Sequence, residues 1–438
     1  MTLGWFGIIR LGLVQMAIGS VIVLTTSTLN RVMAVELALP AALPGLLVGL
    51  HYAVQLSRPE WGRRSDAGGR RTPWILRGMA ALAAGGALAA ISVALMAQAT
   101  APGVALAVAA FALIGAGAGA AGTSMLALLA SAVAPGRRAA AATLTWLMMI
   151  AGIALTAGAV GAALEPYSHA RLVAVVAVAV LAAFLLAALA VRGLERRLAP
   201  PAAPAGPRPS LPIVLRQIWA EPPARRFTVF VFVSMVAYFM QELILEPYAG
   251  HVFGFSPGAS TALSGMQNGG VFAGMVTVGI AVSGFRLGSL RLWTVGGCLA
   301  SALALVAVAA LGAQGPGAPL APAVVALGFA NGVFAVSAIG SMMQLVGQGR
   351  AGRDGARMGV WGAAQAVAAG LGGFAGAALV DLARLGLAAP AAYGLVFLLE
   401  AALFLVAARL ALAAVVAAPS RPVPAAPIPA APVLVPGE

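Results

Sequence analysis

Residues 62–71 read GRRSDAGGRR, a charged stretch between two long apolar runs. The runs, near 38–57 and 74–98, match the roughly 20 apolar residues a helix needs to cross a bilayer. Gly62 and Gly69 allow a tight turn. Asp66 offers an acceptor to the N-terminus of a neighbouring helix, and Arg70 and Arg71 hold the loop at one membrane face. The stretch is a loop joining two membrane spans.

The rest of the chain continues the pattern. Of its 438 residues, 61% are hydrophobic and 9% charged, with a mean hydropathy of +0.99. No soluble core needs that much apolar surface. Twelve apolar segments fall near 8–30, 38–57, 74–98, 103–134, 141–163, 171–191, 227–248, 259–283, 291–313, 319–346, 358–381 and 391–416. The run from Leu11 is too long for a cleaved signal and reads as the first span. The expected organisation is a six-helix bundle over 1–191, a basic proline-rich linker over 192–226, a second six-helix bundle over 227–416, and a disordered Pro/Ala tail over 417–438. In the linker, Leu211, Val214, Leu215, Ile218 and Trp219 share a face, which predicts a short helix on the membrane surface. Cys298 is the single cysteine, so no intramolecular disulfide forms.

Lysine is absent, and arginine distributes unevenly. With twelve spans, one side receives only Arg31, Arg171 and Arg384 in its loops, while the loops of the other side are crowded with arginine. The positive-inside rule then places both termini in the cytoplasm. The net charge of +14 follows from this bias and from anionic lipid headgroups, and calls for no nucleic acid.

Six spans, a long linker and six more spans resemble the layout of the major facilitator superfamily. Gly62, Asp66, Gly69, Arg70 and Arg71 match its loop pattern G-x-x-x-D-x-x-G-R-R. That resemblance implies an all-α fold of twelve transmembrane helices in two halves, with this loop latching the halves on the cytoplasmic side. The equivalent stretch of the second half, SGFRLGSLR, keeps Gly284, Gly288 and Arg291 but lacks the aspartate.

Four longer stretches are more specific. They are LTTSTLNRVMAVELALPAALPGLLVGLHYAVQLSRPEWGRRSDAGGRRTPW, LTWLMMIAGIALTAGAVGAAL, QELILEPYAGHVFGFSPGAST and MGVWGAAQAVAAGLGG. They closely resemble the PucC/LhaA proteins of phototrophic bacteria, over nearly all of the membrane region. The resemblance implies an assembly factor for light-harvesting antenna complexes in the inner (intracytoplasmic) membrane. It implies bacteriochlorophyll as a bound or carried pigment. Its implied partners are membrane lipids, antenna polypeptides, and pigment-synthesis or reaction-centre assembly components. An older family label is bacteriochlorophyll synthase chain. The residues point away from an enzyme: Asp66, Asp354 and Asp381 are isolated, whereas a prenyltransferase clusters aspartates around magnesium and diphosphate.

A magnesium pigment takes one axial ligand, and His51 is the histidine best placed within a span, with Tyr52 and Gln55 beside it. A structural histidine bonded to a neighbour is the plainer reading. Gln15, Gln241, Gln267, Asn268, Gln344 and Gln365 are candidate cavity residues, since in this fold their helices line the centre. Glu400 is an acid within the last span. The polar run LTTSTLNR, from Leu24, occupies the outer third of the first span. Arg31 and Glu36 there, with Glu242 and Glu246 of the seventh, are a candidate periplasmic gate, in which Arg31 either pairs with Glu242 or Glu246 of the other half or snorkels, as they do, into the headgroups. The alternative function is a major facilitator exporter of a small hydrophobic solute.

Overall fold

The computed structural model describes residues 3–58, 61, 70–134, 137–197, 219–285, 287–347 and 354–414. Among them no strand occurs, and twelve helices follow one another. The first half holds α1 (Trp5–Val23), α2 (Ala42–Gln55), α3 (Thr72–Met96), α4 (Thr100–Ala132), α5 (Arg138–Ala163) and α6 (His169–Val191). The second holds α7 (Pro222–Phe253), α8 (Pro257–Gly279), α9 (Leu290–Gln314), α10 (Leu320–Gly347), α11 (Asp354–Arg384) and α12 (Ala389–Ala414). Among the described residues eleven helical stretches are long and apolar enough to cross a membrane, and α2 is a shorter apolar helix. In a bilayer each backbone polar group must find its partner inside the chain, so helices are the form such segments take.

Each half has its own core. One buried cluster runs through α1–α6 and draws a single residue, Leu243, from α7. The other joins α7 to α12 around Phe227, Phe230, Tyr248, Phe334, Phe397 and Phe404. The halves meet along two seams, α2 against α11 and α5 against α8. At the second seam a Cβ on Gly161 would lie 2.7 Å from the backbone nitrogen of Ala262, so only glycine lets these helices approach so closely.

Two helices overrun their expected ends. The first span continues past residue 30 through π-helical turns at Leu24–Leu29 and Val32–Glu36. Thr25 donates to the Ile22 carbonyl at 2.7 Å and Thr26 to the same oxygen at 3.4 Å, which displaces the regular ladder without ending it. The seventh continues through Pro247 to Phe253. Proline has no N–H for the Leu243 carbonyl four residues back. The Asn30 side-chain amide fills that position from α1, at 2.7 Å. Gly254, at φ 71°, then ends α7 in the left-handed conformation that glycine adopts freely.

At the arginine-rich end, Glu195 in the 3₁₀ turn Leu194–Arg197 accepts the backbone N–H groups of Arg71 (2.9 Å) and Thr72 (2.7 Å) at the start of α3. Arg71 donates to the carbonyl of Ala127 and to the Ser131 hydroxyl. The carboxylate seen on that helix N-terminus is thus Glu195, which the sequence reading did not single out. Gly62, Asp66 and Gly69 lie outside the described residues, as do most of the linker, including its expected surface helix up to Ile218, and the tail.

Candidate functional site: a sealed end and a central vestibule

At the arginine-poor end, polar contacts cross from half to half. The run after Leu24 supplies many of them. Ser27 donates to the Glu246 carboxylate of α7, Thr261 of α8 approaches Thr28 at 3.3 Å and Glu246 at 3.4 Å, and Asn30 holds Leu243. Arg31 is 2% exposed. It pairs with Glu36 on its own helix at 2.9 Å and reaches the other half by donating to the Phe255 carbonyl at 2.7 Å. This corrects the expected ion pair of Arg31 with Glu242 or Glu246. Those acids are met by hydroxyls of α1 instead, Glu242 by Thr26 and Glu246 by Ser27. Arg31 leans instead on Phe255, in the loop that follows α7.

Two further carboxylates close the same end. Asp381, in the last turn of α11, accepts the N–H groups of Ala41 (3.0 Å) and Ala42 (2.7 Å) at the start of α2. A carboxylate on a helix N-terminus meets both unsatisfied donors and the positive end of the dipole. Glu165, in the loop before α6, accepts from the Ser256 hydroxyl that caps α8. Nearby, burial, joined by the Glu36 charge, pushes the Tyr167 phenol up to about 12, so it stays neutral at physiological pH.

Beneath this seal, polar and aromatic side chains of both halves are partly exposed although they lie deep in the bundle. They include Gln15 of α1, Tyr52 of α2, Tyr238, Phe239 and Glu242 of α7, Asn268 of α8 and Gln365 of α11. Tyr52 and Phe239 meet edge to face across the halves, with ring centroids 5.8 Å apart. Gln15 donates to the Met149 sulfur at 3.1 Å. Gln267 is also partly exposed, but its backbone packs against Gly328 of α10. Gln241 departs from the expected set. It is 2% exposed, and its backbone amide faces the buried Glu400 carboxyl of α12. Gln344 falls at the edge of the described region, and its side chain is not described.

His51 stands behind Tyr52, with ring centroids 4.9 Å apart, and is 1% exposed. Arg58 donates to the Gln55 amide oxygen, which fixes the orientation of that amide. The Gln55 nitrogen, 2.8 Å from His51 Nε2, is therefore the donor, and Nε2 accepts. The proton then sits on Nδ1, which is buried without a hydrogen-bond partner. In this arrangement His51 presents an N–H and no free lone pair, so it does not suit the axial position of a magnesium pigment. The bond to Gln55 accords with the plainer of the two sequence readings, a structural histidine, and its tautomer is set by Arg58 through Gln55.

Among the described residues no group of His, Cys, Asp or Glu has a metal-binding arrangement. A family model described as PUCC protein matches residues 28–419. The "Bacteriochlorophyll synthase 44.5 kDa chain" of Rhodobacter capsulatus is 61% identical over 417 residues, covering 95% of this chain and 97% of that one. "Protein PucC" of Cereibacter sphaeroides is 30% identical, covering 90% of this chain and 88% of its own. Among solved structures, a peptide transporter POT in complex with sulfate superposes with a TM-score of 0.68 at 16% identity, over 94% of this chain and 95% of that one. A bacterial homologue of the human drug peptide transporters gives 0.69 at 13% identity, over 93% and 97%. At such identities the likeness bears on the fold.

Proposed function

Since the chain belongs to the PUCC family and has the fold of a major facilitator transporter, we propose that it is an assembly factor for bacterial light-harvesting antenna complexes. It binds or delivers bacteriochlorophyll, nascent antenna polypeptides, or both. The observation that carries this reading is the family match over residues 28–419, which spans both halves and the vestibule between them. Antenna polypeptides are short apolar helices that need pigment to pack. A bundle sealed at one end and lined within by aromatic and amide side chains offers shelter before assembly. On this reading both termini are cytoplasmic and the sealed end faces the periplasm.

The name of the R. capsulatus relative suggests synthesis, and the side chains here favour a different role. Asp381 is committed to the N-terminus of α2, so its carboxylate is not free to hold a magnesium diphosphate. A pigment lodged behind Tyr52 would meet the His51 N–H as a hydrogen-bond donor to a carbonyl, not as a metal ligand. Deleting the gene tests the function. Antenna absorbance should fall well below wild type while esterified bacteriochlorophyll is still made. Accumulation of the unesterified precursor alone would place the chain in synthesis and overturn the proposal. Unchanged antenna with raised sensitivity to a toxic solute would favour an exporter.

A further inference from the structure

Glu242 is an unusual group to find in the vestibule. It is partly exposed, on the face of α7 turned toward the first span, with the Thr26 hydroxyl against it. The arginines that could neutralise it are engaged elsewhere: Arg31 with Glu36 and the Phe255 carbonyl, Arg58 with Gln55. One hydroxyl is poor compensation for a carboxylate at this depth, where water is scarce and charge is costly. Glu246, one turn along, adds a second acid to the same helix and takes the hydroxyls of Ser27 and Thr261 for itself.

Tyr238 and Phe239 lie one helical turn before the acid on α7, on its side of the helix, and Tyr52 faces them from α2. Tyr52 and Tyr238 both lie within electrostatic reach of the Glu242 carboxylate. Phe239 joins them, 5.8 Å from Tyr52 and 5.2 Å from Tyr238 between ring centroids. A proton would neutralise Glu242 without any such walls. A cation on an apolar body would use both, since aromatic faces attract cations most strongly where water is excluded. We propose that Glu242, Tyr52, Tyr238 and Phe239 form a recognition site for a lipophilic cation, a protonated amine or an onium group. Because Tyr52 and Thr26 belong to one half and the remaining groups to the other, an occupant bridges the halves. This site is independent of antenna assembly, and its test does not involve pigment.

The full chain, reconstituted in lipid nanodiscs, is titrated with tetraphenylphosphonium and with tetraphenylborate, which share a shape and differ in sign. The cation should bind at least tenfold more tightly. Glu242→Gln should remove most of that preference, and Phe239→Leu should weaken cation binding several-fold while keeping the acid. Lowering the pH should weaken cation binding to the wild type and leave Glu242→Gln unaffected, because protons compete for the same carboxylate. Gel filtration and thermal unfolding establish that each variant is folded; the Phe239→Leu arm stands if Glu242→Gln misfolds. Equal affinity for both ions, or a cation affinity untouched by both substitutions, would overturn the proposal. So would a Glu242 carboxyl band that titrates in the infrared while no cation binds, the mark of a proton site.

Discussion

At Arg31, a guanidinium buried to 2% exposure is balanced by Glu36, which keeps 32% of its own side chain in contact with solvent. Removing the cation therefore leaves an acid that can be rehydrated, so the loss is smaller than for a fully buried pair. Arg31→Gln should lower stability by about 2 kcal/mol. Reversing the pair, Arg31→Glu with Glu36→Arg, should recover part of the loss in thermal unfolding. Arg31→Glu with Glu246→Arg should recover little, because Glu246 is held by Ser27 and Thr261. Recovery in the second swap alone would restore the cross-half ion pair expected from the sequence. Glu400 shows the same residue-scale logic from the opposite side. It is fully buried beside the Gln241 backbone, with neither oxygen satisfied by a side-chain partner among the described residues, so no rehydration offsets its burial.

At the scale of elements, the joint between α1 and α7 depends on a missing hydrogen bond. Pro247 leaves the Leu243 carbonyl without its helical donor, and Asn30 supplies one from the other half. Asn30→Ala should cost about 1–3 kcal/mol, the desolvation of an unsatisfied carbonyl. In a Pro247→Ala background, where the restored N–H can reach Leu243, the same substitution should cost much less. Thermal unfolding of the four variants in one detergent gives the coupling directly. Equal losses in both backgrounds would show that Asn30 does not serve the proline gap. The polar run and the proline are both plain in the sequence. Their relation is not, because 213 residues separate Asn30 from Leu243 and periodicity carries no information about which helix faces which.

For the whole molecule, the arginine distribution and the position of the seal make a joint prediction. Reporter fusions after residues 135, 205 and 350 should signal cytoplasm, and fusions near 167 and 255 should signal periplasm. A periplasmic signal at 205 would break the arrangement of two six-helix halves. The sealed end carries the contacts of Asp381 with α2, Glu165 with Ser256, and Arg31 with Phe255. With the fusions as expected, that end faces away from the cytoplasm.

Composition and apolar run lengths were enough to determine an all-helical membrane chain, because lipid leaves a backbone few other ways to satisfy its polar groups. The loop from Gly62 to Arg71 and the resemblance of longer stretches were enough for the fold and family. The polar run after Leu24 and the acids of α7 were legible as candidates, since hydrophilic residues at that depth are rare unless used. Their partners were decided only by the tertiary structure. Arg31 turned to Glu36 rather than to α7 because the π-helical turns after Leu24 rotate the end of α1. Gln241 was buried, with its backbone amide against Glu400, rather than exposed in the vestibule. His51 became a donor through Gln55 and Arg58. Glu242, read as part of a gate, came to lie within electrostatic reach of Tyr52 from the other half. In each case the decision lies in helix rotation and cross-half packing, which depend on residues far apart in the chain and leave no mark on local pattern.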